Sequence, residues 1–321
     1  MAGKAGVIRI GTRASELALR QARQVQAALA ERGATAELVT IKTAGDKRID
    51  EPLSGIGAKG LFTKELEQAL RGGKVACCVH SLKDLPTDSP EGLVIAAVLQ
   101  REDPRDALIV NDLLGVSSID ELPRGSRIGT SSLRRRALLL ARRSDLEVVD
   151  LRGNVPTRIR KVDDGQVHAT ILAVAGLNRL GVHQRVDEVL EPPEWLPAAG
   201  QGAIAVQARE DDAQMRELLA PLHHVPTDLA VRAERACLAE MEGGCQVPIG
   251  TLAMQDANEL VLHAFIADPR GTHMVRGHAP IDPENPEGAG KRVAYDILSR
   301  GGRYVLERLR AESKVPVPAP E

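Results

Sequence analysis

The chain has 321 residues, enough for two or three domains that each bury a core. Hydrophobic content is 43% and charged content 27%, as in ordinary globular proteins, but aromatic residues are only 2%, so the cores must be built from Leu, Val, Ile and Ala. A formal net charge of −2, an N-terminus without an apolar signal-like stretch and the lack of any membrane-length apolar run give no reason to expect a nucleic-acid or membrane partner; the expected location is the cytoplasm, and nothing calls for an obligate oligomer.

Taken in chain order, "GVIRIG" is a strand and "TRAS" a turn with a cap at Ser15. Ala18, Ala22, Val25 and Leu29 then recur at helical spacing, and "AELVTIKT" is the next strand. This βαβ pattern predicts a parallel sheet. "GLFTKELEQALRGG" is a helix stopped by its glycines, and "VACCVHS" is a buried strand running into "LKDLPT". From about residue 105 the pattern restarts: Arg9 to Thr12 match Arg127 to Thr130, and a helix follows each. "LEVVDLRG" takes the place of "AELVTIKT", and "ATILAVAGLNRLG" adds a strand and turn. Two similar doubly wound α/β domains are the economical reading, each aiming a helix N-terminus out of the carboxyl end of its sheet, where anionic ligands bind.

"PAAGQGAIAVQARED" reads as a hinge that returns the chain as one more strand. A helix over about 226–241 follows. Then come three strand-like runs, "VPIGTLAMQ", "ELVLHAFIA" and "THMVRGHAP", and a last helix over roughly 287–311. The expected division is 1–103 with 201–221, 104–200, and a small α+β domain with a three-stranded antiparallel sheet at 222–321.

Of the four cysteines, Cys77 and Cys78 fall in the apolar strand and Cys237 on the buried stripe of a helix with Val231, Glu234 and Met241. No CxxC pair suggests a metal or redox site. Cys245 alone has the context of an approachable thiol, directly after Gly243 and Gly244. Arginines crowd the middle of the chain. A solvated helix face accounts equally well for Arg136, Arg142, Arg143 and Arg160, but Arg134 and Arg135 fall in the first helical turn after "GTSS". The helix dipole disfavours cations there, so they imply a bound anion. Arg152 and Arg158 flank the turn in "RGNVPTR", and Arg13 holds the matching place in the first half. Guanidinium groups so arranged suit several carboxylates or phosphates. In "HSLKDLP", Asp84 beside Lys83 is either a plain surface turn or a single carboxylate kept among cations, suited to holding an N–H or balancing a developing positive charge. His80 reads as a local hydrogen-bonding residue, and His223 and His224 as loop residues.

"RIGTRASELAL", "GAKGLFTKELE", "VHSLKDLPT", "REDPRDAL", "IGTSSLRRRA", "LRGNVPTR", "ILAVAGLNRLG", "AGQGAIAV" and "MEGGCQVPIG" occur in an order that resembles the porphobilinogen deaminase family over nearly the whole chain. The resemblance implies three domains, the first two like type II periplasmic binding proteins. It implies a dipyrromethane cofactor joined by a thioether to Cys245, on which four porphobilinogen units are polymerised and released as hydroxymethylbilane. It also implies that Asp84 is catalytic. Lys83, Thr130, Ser131, Arg134, Arg135 and Arg158 would bind the cofactor's carboxylates, and Arg13, Arg152, Arg179 and Lys59 the substrate's. No metal is implied. The chain departs from the family pattern at Ala58, Ala76, His168 and Gln207, none of them assigned to chemistry. Two other classes compete. A non-catalytic anion-binding protein of the two-domain periplasmic type gives Cys245 and the third domain no task. Nucleic-acid binding rests only on "SLRRRALLLARR", without the stacking aromatics it would use.

Overall fold

A computed structural model describes residues 7–47, 62–241 and 247–313. Lys59, Ala58 and Cys245 lie outside the described residues. Strand β1 (Ile8–Thr12), helix α1 (Glu16–Ala30) and strand β2 (Ala36–Thr40) form a parallel βαβ unit. Ser15 caps α1 by accepting from the Ala18 N–H, and the helix buries Ala22, Val25 and Leu29 against the sheet. A short helical turn, α2 (Ala44–Lys47), and helix α3 (Lys64–Arg71) precede β3 (Cys77–Ser81), which runs parallel to β1, and β4 (Leu93–Val98).

The second unit contains β5 (Asp106–Val110), β6 (Arg127–Gly129), α4 (Leu133–Arg142), β7 (Glu147–Val149), α5 (Val155–Asp163), β8 (Ala169–Ala173), α6 (Val174–Leu180) and β9 (Glu188–Leu190). The chain then crosses back as β10 (Ile204–Arg209), which inserts antiparallel between β3 and β4. The two sheets have orders β2-β1-β3-β10-β4 and β7-β6-β8-β5-β9. In each the first three strands are parallel, and the fourth is an antiparallel strand delivered by a crossover between the units. The repeated "RIGT" thus occupies equivalent strands, β1 and β6. Helix α7 (Ala213–Leu219) closes the first unit.

Helix α8 (Val225–Glu240) leads to an antiparallel meander of β11 (Ile249–Asp256), β12 (Glu259–Ala267) and β13 (Met274–Pro280), followed by α9 (Pro286–Ile297) and α10 (Arg303–Ser313). Alternation along the strands sends side chains to opposite faces. Ala253, Leu262, Ala264 and Ile266 pack on α8 and α9, whereas Leu252 and Phe265 join Leu139, Trp195 and Leu196 in the core of the second unit. Full burial of Phe265 alone is worth about 1.5–3 kcal/mol. The β12–β13 turn also touches α4: a Cβ on Gly271, whose φ is +69°, would lie 2.2 Å from the Ala137 carbonyl oxygen. The last helix is not the continuous element its periodicity predicts. Gly301, at φ 118°, kinks the chain between α9 and α10, a conformation a side chain would resist. Among the described residues no helix is long and apolar enough to cross a membrane.

Candidate functional site

Strand β3 ends at Ser81, and a single 3-10 turn, Leu82–Asp84, carries the two charged residues of "HSLKDLP". Leu82 is buried and anchors the turn, its N–H donating to the Ala203 carbonyl of the returning crossover at 3.0 Å. Ser81 exchanges hydrogen bonds with the Gln21 amide of α1. Downstream, the Arg235 guanidinium of α8 donates to the carbonyls of Leu85, Pro86 and Thr87 at 3.1, 2.6 and 3.2 Å. A turn pinned on both sides leaves Asp84 exposed and Lys83 half-buried. Lys83 Nζ donates to Gln201 Oε1 at 3.2 Å. Burial and then repulsion from Arg135 lower its pKa to about 8, only partly offset by Asp84 and Asp106. His80 is buried behind the turn, its pKa brought to about 4 chiefly by burial, so the ring is neutral beside Gln207.

Linked to this turn through Gln201 and Asp106 is the N-terminus of α4. Ser132 caps it by accepting from the Arg135 N–H; Thr130 Oγ1 accepts from the Ser132 N–H at 3.2 Å, and the Ser131 hydroxyl donates to the Leu151 carbonyl at 3.2 Å. Arg134 and Arg135 are 5% and 6% exposed and turn inward. The anion their position called for is supplied, at least in part, by the chain itself. Asp106 Oδ2 accepts from Arg134 Nη1 at 2.8 Å and Trp195 Nε1 at 3.0 Å, while Oδ1 accepts from Arg135 Nη2 at 2.7 Å and Gln201 Nε2 at 2.9 Å. Burial alone would raise the Asp106 pKa; the two guanidiniums overcome that and hold it well below the usual carboxylate range. Arg135 also donates to the Ile171 carbonyl, and its Nε is buried without a partner among the described residues.

Arg158 lies in the first turn of α5, where the Asn154 side chain caps the helix. It bonds its own Gly153 carbonyl at 2.9 Å. Burial, then repulsion from Arg135 and Arg152, bring its pKa down to about 10, with no carboxylate among the described residues to offset them. Arg135 is therefore within electrostatic reach of both Lys83 and Arg158, with Arg134 near Lys83 and Arg152 near Arg158. Arg179 stands beside the crossover, donating to the Gly202 carbonyl at 2.7 Å. Arg13 is engaged differently: it forms an ion pair with Asp46 at 2.5 Å and lies 4.2 Å from the Phe62 ring centroid.

Five residues that sequence reasoning did not assign to the site hold it together: Asp106, Trp195, Gln201, Glu234 and Arg235. Glu234 is fully buried and accepts from Arg101 at 2.6 and 3.1 Å, from the Gly200 N–H at 2.7 Å and from the Ala253 N–H at 2.9 Å, so α8 fastens both crossovers and β11. A glutamate on the apolar stripe of Val231 and Cys237 was the available signal, because a charge there requires a partner. Burial, with lesser help from nearby carboxylates, pushes the Cys77 and Cys237 thiols up to about 12, and burial raises Cys78 as well, so these three are poor nucleophiles. His168, at one of the departures, accepts the Arg127 N–H on Nδ1 at 2.8 Å; Gln207, at another, is 1% exposed, with Oε1 unpartnered among the described residues.

The chain is structurally similar to a periplasmic substrate-binding protein of an ABC transporter from Coxiella burnetii, with 17% identity over 71% of this chain and 97% of that one and a TM-score of 0.42. An arginine-specific periplasmic binding protein of Salmonella typhimurium matches with 13% identity over 68% and 92% of the two chains, TM-score 0.38. The periplasmic VFT2 domain of Bordetella pertussis BvgS matches with 14% identity over 67% and 85%, TM-score 0.39. Two family models match in tandem: "Porphobilinogen deaminase, dipyromethane cofactor binding domain" over residues 8–217, and "Porphobilinogen deaminase, C-terminal domain" over residues 229–299. A purely anion-binding role is thereby set aside, and the chain belongs to the porphobilinogen deaminase family, dipyrromethane-dependent transferases that make hydroxymethylbilane from porphobilinogen in tetrapyrrole biosynthesis.

Proposed function

We propose that the cleft between the Asp84 turn and the α4 and α5 termini is where this chain joins porphobilinogen units, with Asp84 as the catalytic carboxylate and Cys245 as the covalent anchor. The cofactor's fit is supported by the donors present. A polycarboxylate calls for cations that are not already neutralised; among the described residues Arg158 is crowded by guanidiniums rather than carboxylates, and Arg135 keeps a buried Nε–H without an acceptor. The charge of Arg158, which no carboxylate offsets among the described residues, is the observation that carries the proposal. Lys83, Thr130, Ser131, Arg134, Arg135 and Arg158 would hold the dipyrromethane carboxylates, Arg134 largely through the ion pair that sets its neighbour. When bound, the dipyrromethane supplies the nucleophilic pyrrole carbon to which the first new unit is joined.

Arg152, Arg179, Arg13 and Lys59 would receive the acetate and propionate of incoming substrate. For Arg13 a substrate carboxylate must compete with Asp46. As the C–N bond of the substrate's aminomethyl group breaks and ammonia leaves with the electron pair, positive charge spreads over the pyrrole ring and its N–H. Asp84, held on a pinned turn at the cleft edge, accepts that N–H and offsets the charge. Cationic walls would otherwise disfavour this step, which is why one carboxylate is kept there. The division into units 1–103 with 201–221, 104–200 and 222–321, a monomeric state, a cytoplasmic location and independence from nucleic acid and membrane complete the proposal; the net charge of −2 supports the last of these.

Asp84→Asn tests the assignment. The variant should keep its melting temperature and its two-pyrrole mass while turnover falls by about 100- to 1,000-fold. Turnover within a few-fold of the parent would remove Asp84 from the chemistry.

A further inference from the structure

Gln201 is fully buried in the returning crossover and links Lys83 on the Asp84 turn to Asp106, the partner of Arg134 and Arg135. Its Nε2 donates to the Pro104 carbonyl at 2.7 Å and to Asp106 Oδ1 at 2.9 Å, and its Oε1 accepts from Lys83 Nζ at 3.2 Å. The orientation of the amide is not free. A flipped amide would set Oε1 against a carboxylate and the carbonyls of Pro104 and Arg105, none of which can donate. Asp106, itself fixed by Arg134, Arg135 and Trp195, therefore decides which end of Gln201 meets Lys83.

We propose that Gln201 is a positioning residue, which holds the Lys83 ammonium in the cleft through a neutral acceptor and so leaves its charge for a ligand carboxylate. An ammonium has three N–H donors, and Gln201 engages one of them. A carboxylate in place of the amide would pair with Lys83 and cancel the charge, and it would face Asp106. An apolar residue would leave the ammonium without its fixed acceptor. The inference rests on the reading of Lys83 as a cofactor-carboxylate ligand.

Two readouts test it. In full-length Cys245→Ala protein, which cannot carry the cofactor, adding Gln201→Met should speed acylation of Lys83 by a limiting amine reagent about tenfold. Lys74 and Lys161 should label as before, which shows that the fold is intact. With Cys245 present, both Gln201→Met and Gln201→Glu should carry less of the two-pyrrole mass under limiting porphobilinogen. In Gln201→Glu, Lys83 labelling should stay slow, because the lysine is ion-paired. Unchanged Lys83 labelling in Gln201→Met, or full cofactor occupancy in Gln201→Glu, overturns the inference. If Gln201→Met labels everywhere because it has unfolded, Gln201→Glu decides: low occupancy with slow Lys83 labelling supports the role, and any other pattern overturns it. Lys83→Met separates the two levels: full occupancy and turnover in that variant defeat the assignment of Lys83 as a ligand, while the labelling comparison still decides what Gln201 does.

Discussion

Asp106→Asn should be among the most damaging single substitutions in the protein although Asp106 was not assigned to the chemistry. The side chain keeps its shape but loses the charge that compensates Arg134 and Arg135, which are 5% and 6% exposed. Four donors converge on it at 2.7–3.0 Å, and an amide nitrogen in place of one oxygen would face at least one of them donor to donor. Removing one partner of a buried ion pair costs about 3–5 kcal/mol. For a chain of this size that is a fall in melting temperature of roughly 10 °C. Asp120→Asn is the internal control. It breaks contacts of 2.9 and 2.6 Å to Arg142 on the same helix, but the Asp120 side chain is 62% exposed, so the loss should stay below about 1 kcal/mol. The pH dependence has a definite sign. The folded-state pKa of Asp106 is depressed, so its contribution is fully present above the ordinary carboxylate pKa near 3.8 and is lost as pH falls through the folded value. The gap in melting temperature between parent and Asp106→Asn should therefore hold from pH 8 down to about pH 5 and narrow only in stronger acid. Scanning fluorimetry across pH reads this directly. Equal losses for Asp106→Asn and Asp120→Asn, or a gap that closes already near pH 6, would refute the reasoning.

Arg158→Met should load little cofactor, and in the cofactor-free Cys245→Ala background it should melt no lower than Cys245→Ala alone, because the guanidinium it removes is repelled by Arg135 and Arg152; a clear fall in that background would mean that Arg158 is a structural group. Gly271→Ala should lower the melting temperature by several degrees, since its Cβ would strike the α4 backbone and its φ of +69° disfavours a side chain; an unchanged melting curve would show that the β12–β13 turn is not held against α4.

Much of the fold could be read from local pattern. Recurrence of "RIGT" before a helix marks β1 and β6, and alternation in "ELVLHAFIA" marks a strand with two buried faces, one for Ala264 and Ile266 and one for Phe265. What could not be read depends on partners far along the chain. Nothing near Asp106 announces that it will meet residues 28, 29 and 89 positions away, and "GQGA" says only that a tight turn is coming, not that Gln201 will bridge Lys83 and Asp106. The position of Arg134 and Arg135 at the start of α4 pointed to a bound anion, whereas the carboxylate that meets them in the structure is Asp106 of the chain itself, which a sequence does not show. The kink at Gly301 was hidden because apolar periodicity resumes in α10, where Val305 and Leu306 are buried in the same core as Val293 and Ile297.

The central claim is that Cys245 carries two pyrrole units as a primer. Intact mass of the purified full-length protein beside its Cys245→Ala variant, with Ehrlich's reagent as a colour test, addresses it most directly. The account predicts an adduct of two pyrrole units and a positive colour in the parent, and neither in the variant. An adduct of the same mass in both proteins, or an unmodified parent that stays unmodified after incubation with porphobilinogen, would contradict it.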